Sequence, residues 1–146
     1  MIGLLQRVTN AHVEIEGRTV ARIGRGLLVL VGFRDGDREA RIGRFVERLL
    51  NYRVFSDERG RMNLSLRDVE GELLLVPQFT LAADTGSGNR PSFTPAAPPE
   101  TGRALFAALK RDADRAWPGT GFGVFGADMQ VGLTNDGPVT FWLEVD

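Results

Sequence analysis

Apolar and polar positions alternate in short pieces along the first third of the chain. Leu5 to Val8, Val13 with Ile15, Val20 with Ile23, and the run Leu27-Leu28-Val29-Leu30-Val31 each have strand character. Glu16-Gly17 and Gly24 to Gly26 punctuate them as tight turns, which predicts an antiparallel opening of three or four strands. Asp35-Gly36-Asp37 then breaks the sheet. Asp37 is placed to cap a helix running to about Asn51, because Ile42, Phe45, Val46, Leu49 and Leu50 recur on one apolar face suited to packing on a sheet.

Arg53-Val54-Phe55 reads as a short strand, followed by a polar turn over Ser56 to Gly60. Glu72 to Val76 carries three consecutive leucines, the pattern of a strand buried on both faces, and ends at Pro77. Asp84 to Pro99 is rich in Gly, Ser, Thr and Pro, a long loop of the kind that often carries function. A second helix is expected from about Glu100 to Ala116, with Ala104, Leu105, Ala108 and Leu109 at helical spacing and Trp117-Pro118-Gly119 as its stop. Met129 to Leu133 and Val139 to Val145 read as two strands around a hairpin-like turn, Thr134-Asn135-Asp136-Gly137-Pro138. The sum is an α+β fold, an antiparallel-rich β-sheet or barrel-like core with two packed helices, in one domain over residues 1–146.

At 146 residues and 42% hydrophobic, the chain can bury a core without staples. It has no cysteine, so thiol catalysis and cysteine-bound zinc are excluded by inventory, and a reducing compartment fits. No apolar run approaches the ~20 residues of a membrane span, and Met1 to Arg7 has no basic region ahead of a long apolar stretch. A cytoplasmic protein with no membrane and no DNA partner is expected. The net charge of −1 offers no global attraction to nucleic acid, so RNA contacts would need a local basic surface.

The usual catalytic groups are scarce. The one histidine, His12, alternates with Asn10 and Glu14 on the polar side of a strand, and a histidine-rich metal site is impossible. Asp35-Gly36-Asp37 lacks the alternating oxygen ligands of a calcium loop. No phosphate loop ending in Lys-Ser/Thr occurs, and Lys110 is the only lysine, so nucleotide hydrolysis and Schiff-base chemistry are disfavoured. Arg41, Arg44 and Arg48 edge the first helix and could meet phosphates, although Glu47 among them fits a solvated face better. Neither a cofactor nor a metal is expected.

Two segments remain: Gln78-Phe79-Thr80-Leu81-Ala82-Ala83-Asp84 and Asn135-Asp136-Gly137-Pro138-Val139-Thr140. Taken alone, the first reads as a strand end and the second as an ordinary turn. Together they resemble the D-aminoacyl-tRNA deacylase family, and the likeness continues through Gln6-Arg7-Val8, Phe55-Ser56-Asp57, Met62-Asn63-Leu64, Arg90-Pro91-Ser92-Phe93 and Ala127 to Val131.

The resemblance implies a proofreading hydrolase that frees tRNA from D-amino acids, and from glycine mischarged on tRNA-Ala. It implies a homodimer whose sites combine Gln78, Phe79 and Thr80 of one chain with a cis Gly137-Pro138 peptide of the other. That peptide would bind the substrate ammonium through its carbonyls and leave no room for an L side chain. Backbone N–H groups near Phe79 and Thr80 would meet the ester carbonyl as negative charge develops. Thr80 as a nucleophile would need an adjacent base, and none is in prospect. The family instead implies that the 2′-hydroxyl of the terminal adenosine helps activate water. Arg7 would hold the Gly-Pro segment and Met129 would line the adenosine pocket. The chain departs from the family at Pro77, where serine is usual; an animal branch with Pro-Gln there acts on L-substrates, but Phe79 and Val139-Thr140 match the main branch. Two rival readings stay open: a deacylase of relaxed chirality acting on a small L-residue, and a non-catalytic RNA-end-binding module.

Overall fold

The computed structural model describes all residues 1–146. Its spine is β1 (Ile2–Ile15), which pairs along both edges. One edge is shared between β3 (Gly26–Gly32), opposite Ile2 to Val8, and β2 (Arg18–Ile23), opposite Ala11 to Ile15. The other edge takes β8 (Gln130–Glu144) along almost its whole length. Thr9 and Asn10, polar and exposed, separate the two apolar stretches of β1 without ending the strand, because Asn10 is registered with Thr134 of β8. The two strands expected before Glu16 are therefore one.

Beyond β3 the sheet turns parallel: β6 (Glu72–Pro77) lies beside β3, and β7 (Gly121–Phe122) beside β6. The sheet is therefore mixed, with three antiparallel pairings around β1 and two parallel ones beyond β3. β7 then approaches β2, close enough that a Cβ on Gly121 would stand 3.5 Å from that of Ala21, so the sheet nearly closes on itself. Gly26 permits the β3–β6 junction, since a Cβ there would collide with the Glu72 carbonyl. Alternation divides the central strands between two cores. Leu27, Val29, Leu73 and Leu75 face the helices α1 (Ile42–Asn51) and α3 (Pro99–Ala116), whereas Leu28, Leu74 and Val76 join Val8, Ala11, Val13 and Ile23 inside the near-barrel. At ~25 cal/mol per Å² of apolar surface, burial on both faces makes these strands the best-anchored part of the chain.

Four further differences have local causes. Asp37 caps no helix: its carboxylate accepts from the Met1 ammonium at 2.8 Å and from the Arg34 N–H at 2.8 Å, and α1 begins only at Ile42 after a 3-10 turn at Glu39–Arg41. There are three helices rather than two, because Leu66–Val69 forms a single turn, α2, closed by a reciprocal Ser65–Asp68 capping box. The strand expected at Arg53 starts later, as β4 (Phe55–Ser56) paired with β5 (Met62–Leu64). The last two strands are not a hairpin. β8 runs in one direction along β1, and residues 136 to 139 swell out of it, five steps of β8 from Asn135 to Thr140 facing two of β1 from Val8 to Gln6. A turn signal cannot distinguish reversal from a bulge; the distant partner strand decides it.

Near its C-terminus β8 carries a polar cluster. Arg34 forks onto the Glu144 carboxylate at 2.8 and 3.1 Å, and the half-exposed Trp142 donates its indole N–H to the same group at 2.6 Å. These contacts hold the Glu144 carboxyl well below the usual range, to about 2, the arginine first and the indole second. Trp117, by contrast, is packed against the main core with its N–H on the Gly71 carbonyl at 3.0 Å.

Candidate active site

The chain leaves β6 at Pro77 and folds at once into a 3-10 turn, Phe79–Ala82. The Gln78 N–H donates to the Val31 carbonyl at 2.7 Å, which fixes the turn to the buried end of β3. Gly32 makes the approach possible: a Cβ there would lie 2.9 Å from the Gln78 carbonyl oxygen and 3.0 Å from the Leu81 Cβ. As first-turn amides, Phe79 and Thr80 point N–H groups that have no acceptor within the helix. The Gln78 side-chain amide donates to the Thr80 hydroxyl. The Phe79 ring is 54% exposed and leans on Phe93 from the long loop, centroids 5.1 Å apart. That loop is pinned by reciprocal Asp84–Ser92 backbone bonds at 2.8 and 2.9 Å.

Beside this turn opens a largely apolar cleft of about 280 Å³, lined among others by Pro77, Gln78, Phe79, Phe33, Arg103 and Phe125. Met129 stands at the neighbouring wall, its sulfur accepting from the Val124 N–H at 3.4 Å and packed where any Cβ on Gly123 would meet both it and the Pro77 ring. The wall formed by α3 and residues 122–126 was not anticipated. Its signal was Gly102 in the second helix together with the glycine-aromatic run Gly121-Phe122-Gly123-Val124-Phe125-Gly126, since the bare Gly102 admits the Phe125 ring at close range.

Gly137 and Pro138 form the tip of the β8 bulge, joined by a cis peptide. Arg7 braces them from beneath: its Nε donates to the Asp136 carbonyl at 3.0 Å and its Nη1 to the Val54 carbonyl at 2.8 Å, with the Asp136 carboxylate 3.6 Å away. Asn135 ties the bulge together, accepting from the Val139 N–H at 2.9 Å and donating to the Thr140 hydroxyl at 2.7 Å.

The expected site residues thus fall into two groups, Gln78, Phe79, Thr80 and Met129 around the cleft, and Arg7, Gly137 and Pro138 at the bulge. Pro77 is registered with Val31 and Val31 with Gly3, four residues along β1 from Arg7. That is roughly 13 Å along the strand, with two inter-strand spacings of roughly 5 Å across the sheet in addition. No hydrogen bond joins the groups within one chain.

The remaining candidates are occupied elsewhere. His12 lies over Gly132, near Glu14 at 3.5 Å, on β1 between β2 and β8. Arg44 pairs with Glu47 at 2.9 Å and Arg48 donates to the Glu144 carbonyl, which takes two of the helix arginines into intramolecular contacts. No three His, Asp or Glu side chains converge as a metal site would require.

Comparison with known proteins gives a consistent picture. A protein from Nitrosococcus oceani named D-aminoacyl-tRNA deacylase is 60% identical over 99% of this chain and 94% of its own length. One of the same name from Ectopseudomonas mendocina is 61% identical over 97% of this chain and 98% of its own. Among solved structures, one titled c-Myc DNA Unwinding Element Binding Protein covers all of this chain and 99% of its own, with a TM-score of 0.94 at 38% identity. Another, titled as a probable eukaryotic D-amino acid tRNA deacylase, shares the fold at a TM-score of 0.84 and 19% identity, covering 99% of this chain and 98% of its own. The family model described as D-Tyr-tRNA(Tyr) deacylase matches residues 4–144, and the chain belongs to that family.

Proposed function

We propose that this chain is a single catalytic domain that hydrolyses the ester of D-aminoacyl-tRNA, and of glycyl-tRNA mischarged on tRNA-Ala, as a cytoplasmic homodimer. The observation that carries the reading is the pairing of an aromatic-rimmed cleft and its first-turn amides with a braced Gly137-Pro138 bulge that its own chain keeps remote. A second copy can bring the bulge to the cleft. Its carbonyls then accept the substrate ammonium, and its backbone occupies the space an L side chain would need.

In this reading the ester carbonyl lies against the N–H groups of Phe79 and Thr80. Water attacks the carbonyl carbon, the oxyanion is held by those donors, and the 3′-oxygen leaves with a proton as the acid is released. The 2′-hydroxyl of the terminal adenosine assists the attacking water, so the protein needs no side-chain base. Met129 lines the adenosine pocket and Thr80 positions Gln78 rather than attacking. Assaying matched D-, L- and glycyl-tRNA tests this. A wall and ammonium contact together worth ~3–4 kcal/mol in the transition state give a D-over-L rate ratio of some hundreds to a thousand. Equal rates for both enantiomers would overturn the assignment, and tight binding of tRNA ends without turnover would favour a non-catalytic module.

A further inference from the structure

We propose that Arg103 is an anion subsite of the cleft, taking a phosphate group of the RNA 3′ end beside the acylated nucleotide. Arg103 carries the only formal charge among the residues lining the cleft. It enters no ion pair and donates no hydrogen bond within the chain, whereas Arg7, Arg34, Arg44, Arg48 and Arg111 are all engaged. Its guanidinium is nevertheless held in place, stacked 5.0 Å over the Phe125 ring.

Two glycines build that platform. A Cβ on Gly102 would stand 3.1 Å from the Phe125 ring, so the bare helix face lets the ring settle against α3. Gly126, at φ +78, passes the guanidinium where a Cβ would stand 3.4 Å from Nη2. The result is a planar fork, prepared in orientation, with its donors unspent. Such a fork matches phosphate, and stacking on an aromatic face limits the freedom lost on binding.

The substrate's own chemistry selects the ligand, on the reading that this cleft receives an aminoacylated RNA end. Esterification has removed the amino acid's carboxylate, and its ammonium is repelled by a guanidinium. The phosphates are the only anions left near the ester. Arg103 therefore orients the end as well as binding it: phosphate toward α3, ammonium away.

Arg103→Gln and Arg103→Lys are compared with the unaltered chain on D-aminoacyl-tRNA and on two small esters, 3′-O-D-aminoacyl adenosine with and without a 5′-phosphate. Arg103→Gln should lower kcat/KM about 10-fold on the phosphate-bearing substrates, mainly through KM, as befits one charge-assisted contact. On the phosphate-free ester the loss should be much smaller, limited to the change in ammonium orientation. The log–log salt dependence with tRNA should become shallower by about 0.7, one single-strand phosphate. Lysine should recover part of the loss, keeping charge without the fork. Inhibition of tRNA deacylation by AMP and adenosine supplies an independent readout: AMP should bind better than adenosine to the unaltered chain, and that advantage should vanish in Arg103→Gln. Equal losses on all three substrates, or no advantage of AMP over adenosine in the unaltered chain, would overturn the subsite. Failure of the unaltered chain to cleave D-aminoacyl-tRNA would instead remove the deacylase reading beneath it.

Discussion

The Gln78–Thr80 turn and the Asn135–Thr140 bulge are both short departures from strands, yet they are held by different physics. The turn follows a strand buried on both faces, and its anchor is backbone on backbone, Gln78 to Val31 across a glycine. The bulge projects from β8, a strand paired only with β1, and depends on polar side chains, Arg7, Asn135 and Thr140. A backbone-built element answers to the volume of its neighbours; a side-chain-built one answers to the loss of single donors. The two halves of the proposed site should therefore fail under different substitutions.

The largest effect should come from removing the brace. Arg7→Ala deletes two charge-assisted hydrogen bonds worth together ~3 kcal/mol or more, so kcat/KM should fall at least about 100-fold with D-substrates. Gly32→Val should do comparable damage from the other side, because the added carbons meet the Gln78 carbonyl. Mixing the two inactive chains sharpens the comparison. In a two-fold dimer, one site collects both defects and the other neither, so activity should return toward one working site per heterodimer. If subunit exchange is demonstrated and no activity returns, the bulge serves its own chain or nothing.

Smaller effects separate backbone from side chain within the turn. Thr80→Ala removes the hydroxyl that Gln78 contacts but leaves the amides, and should cost only several-fold in kcat, ~1 kcal/mol. A covalent acyl group trapped on Thr80 would refute the water mechanism. The smallest concerns the far end of β8. The Glu144 carboxyl is depressed in the folded chain, so its contribution is present above the ordinary carboxylate range and is lost as pH falls from about 4.5 toward about 2. The pair is more than a third exposed, so Arg34→Gln should lower stability by less than ~1 kcal/mol at neutral pH, and the difference should shrink in acid melts.

What the sequence disclosed follows the range of the interactions. The apolar face of α1 and the double-faced burial of Leu73 to Val76 are written in local periodicity, and the structure has both. Asp37 carries an honest capping signal, but the Met1 ammonium, 36 residues away in the chain, takes its carboxylate instead. Parallel pairing of β3 with β6 needs all of residues 33 to 71 to fold back between them, and nothing in either strand announces its neighbour. The candidate site was legible as two motifs only through family likeness. The amides of Phe79 and Thr80 came with that likeness, but the far wall of the cleft did not, because the stacked Arg103 looks in sequence like any solvated arginine on a helix.

The indole of Trp142 leaning on the Glu144 carboxylate has an optical consequence. The chain has two tryptophans, and their surroundings differ: Trp117 bonds to a carbonyl that does not titrate, Trp142 to an acid that does. Protonating Glu144 removes the charge beside one fluorophore and leaves the other untouched. Emission followed down to about pH 2 should therefore contain a change from this one contact, and Arg34→Gln should move that change to higher pH. The strand that carries the bulge has a lamp fixed near its end, and its brightness reports on a single carboxyl.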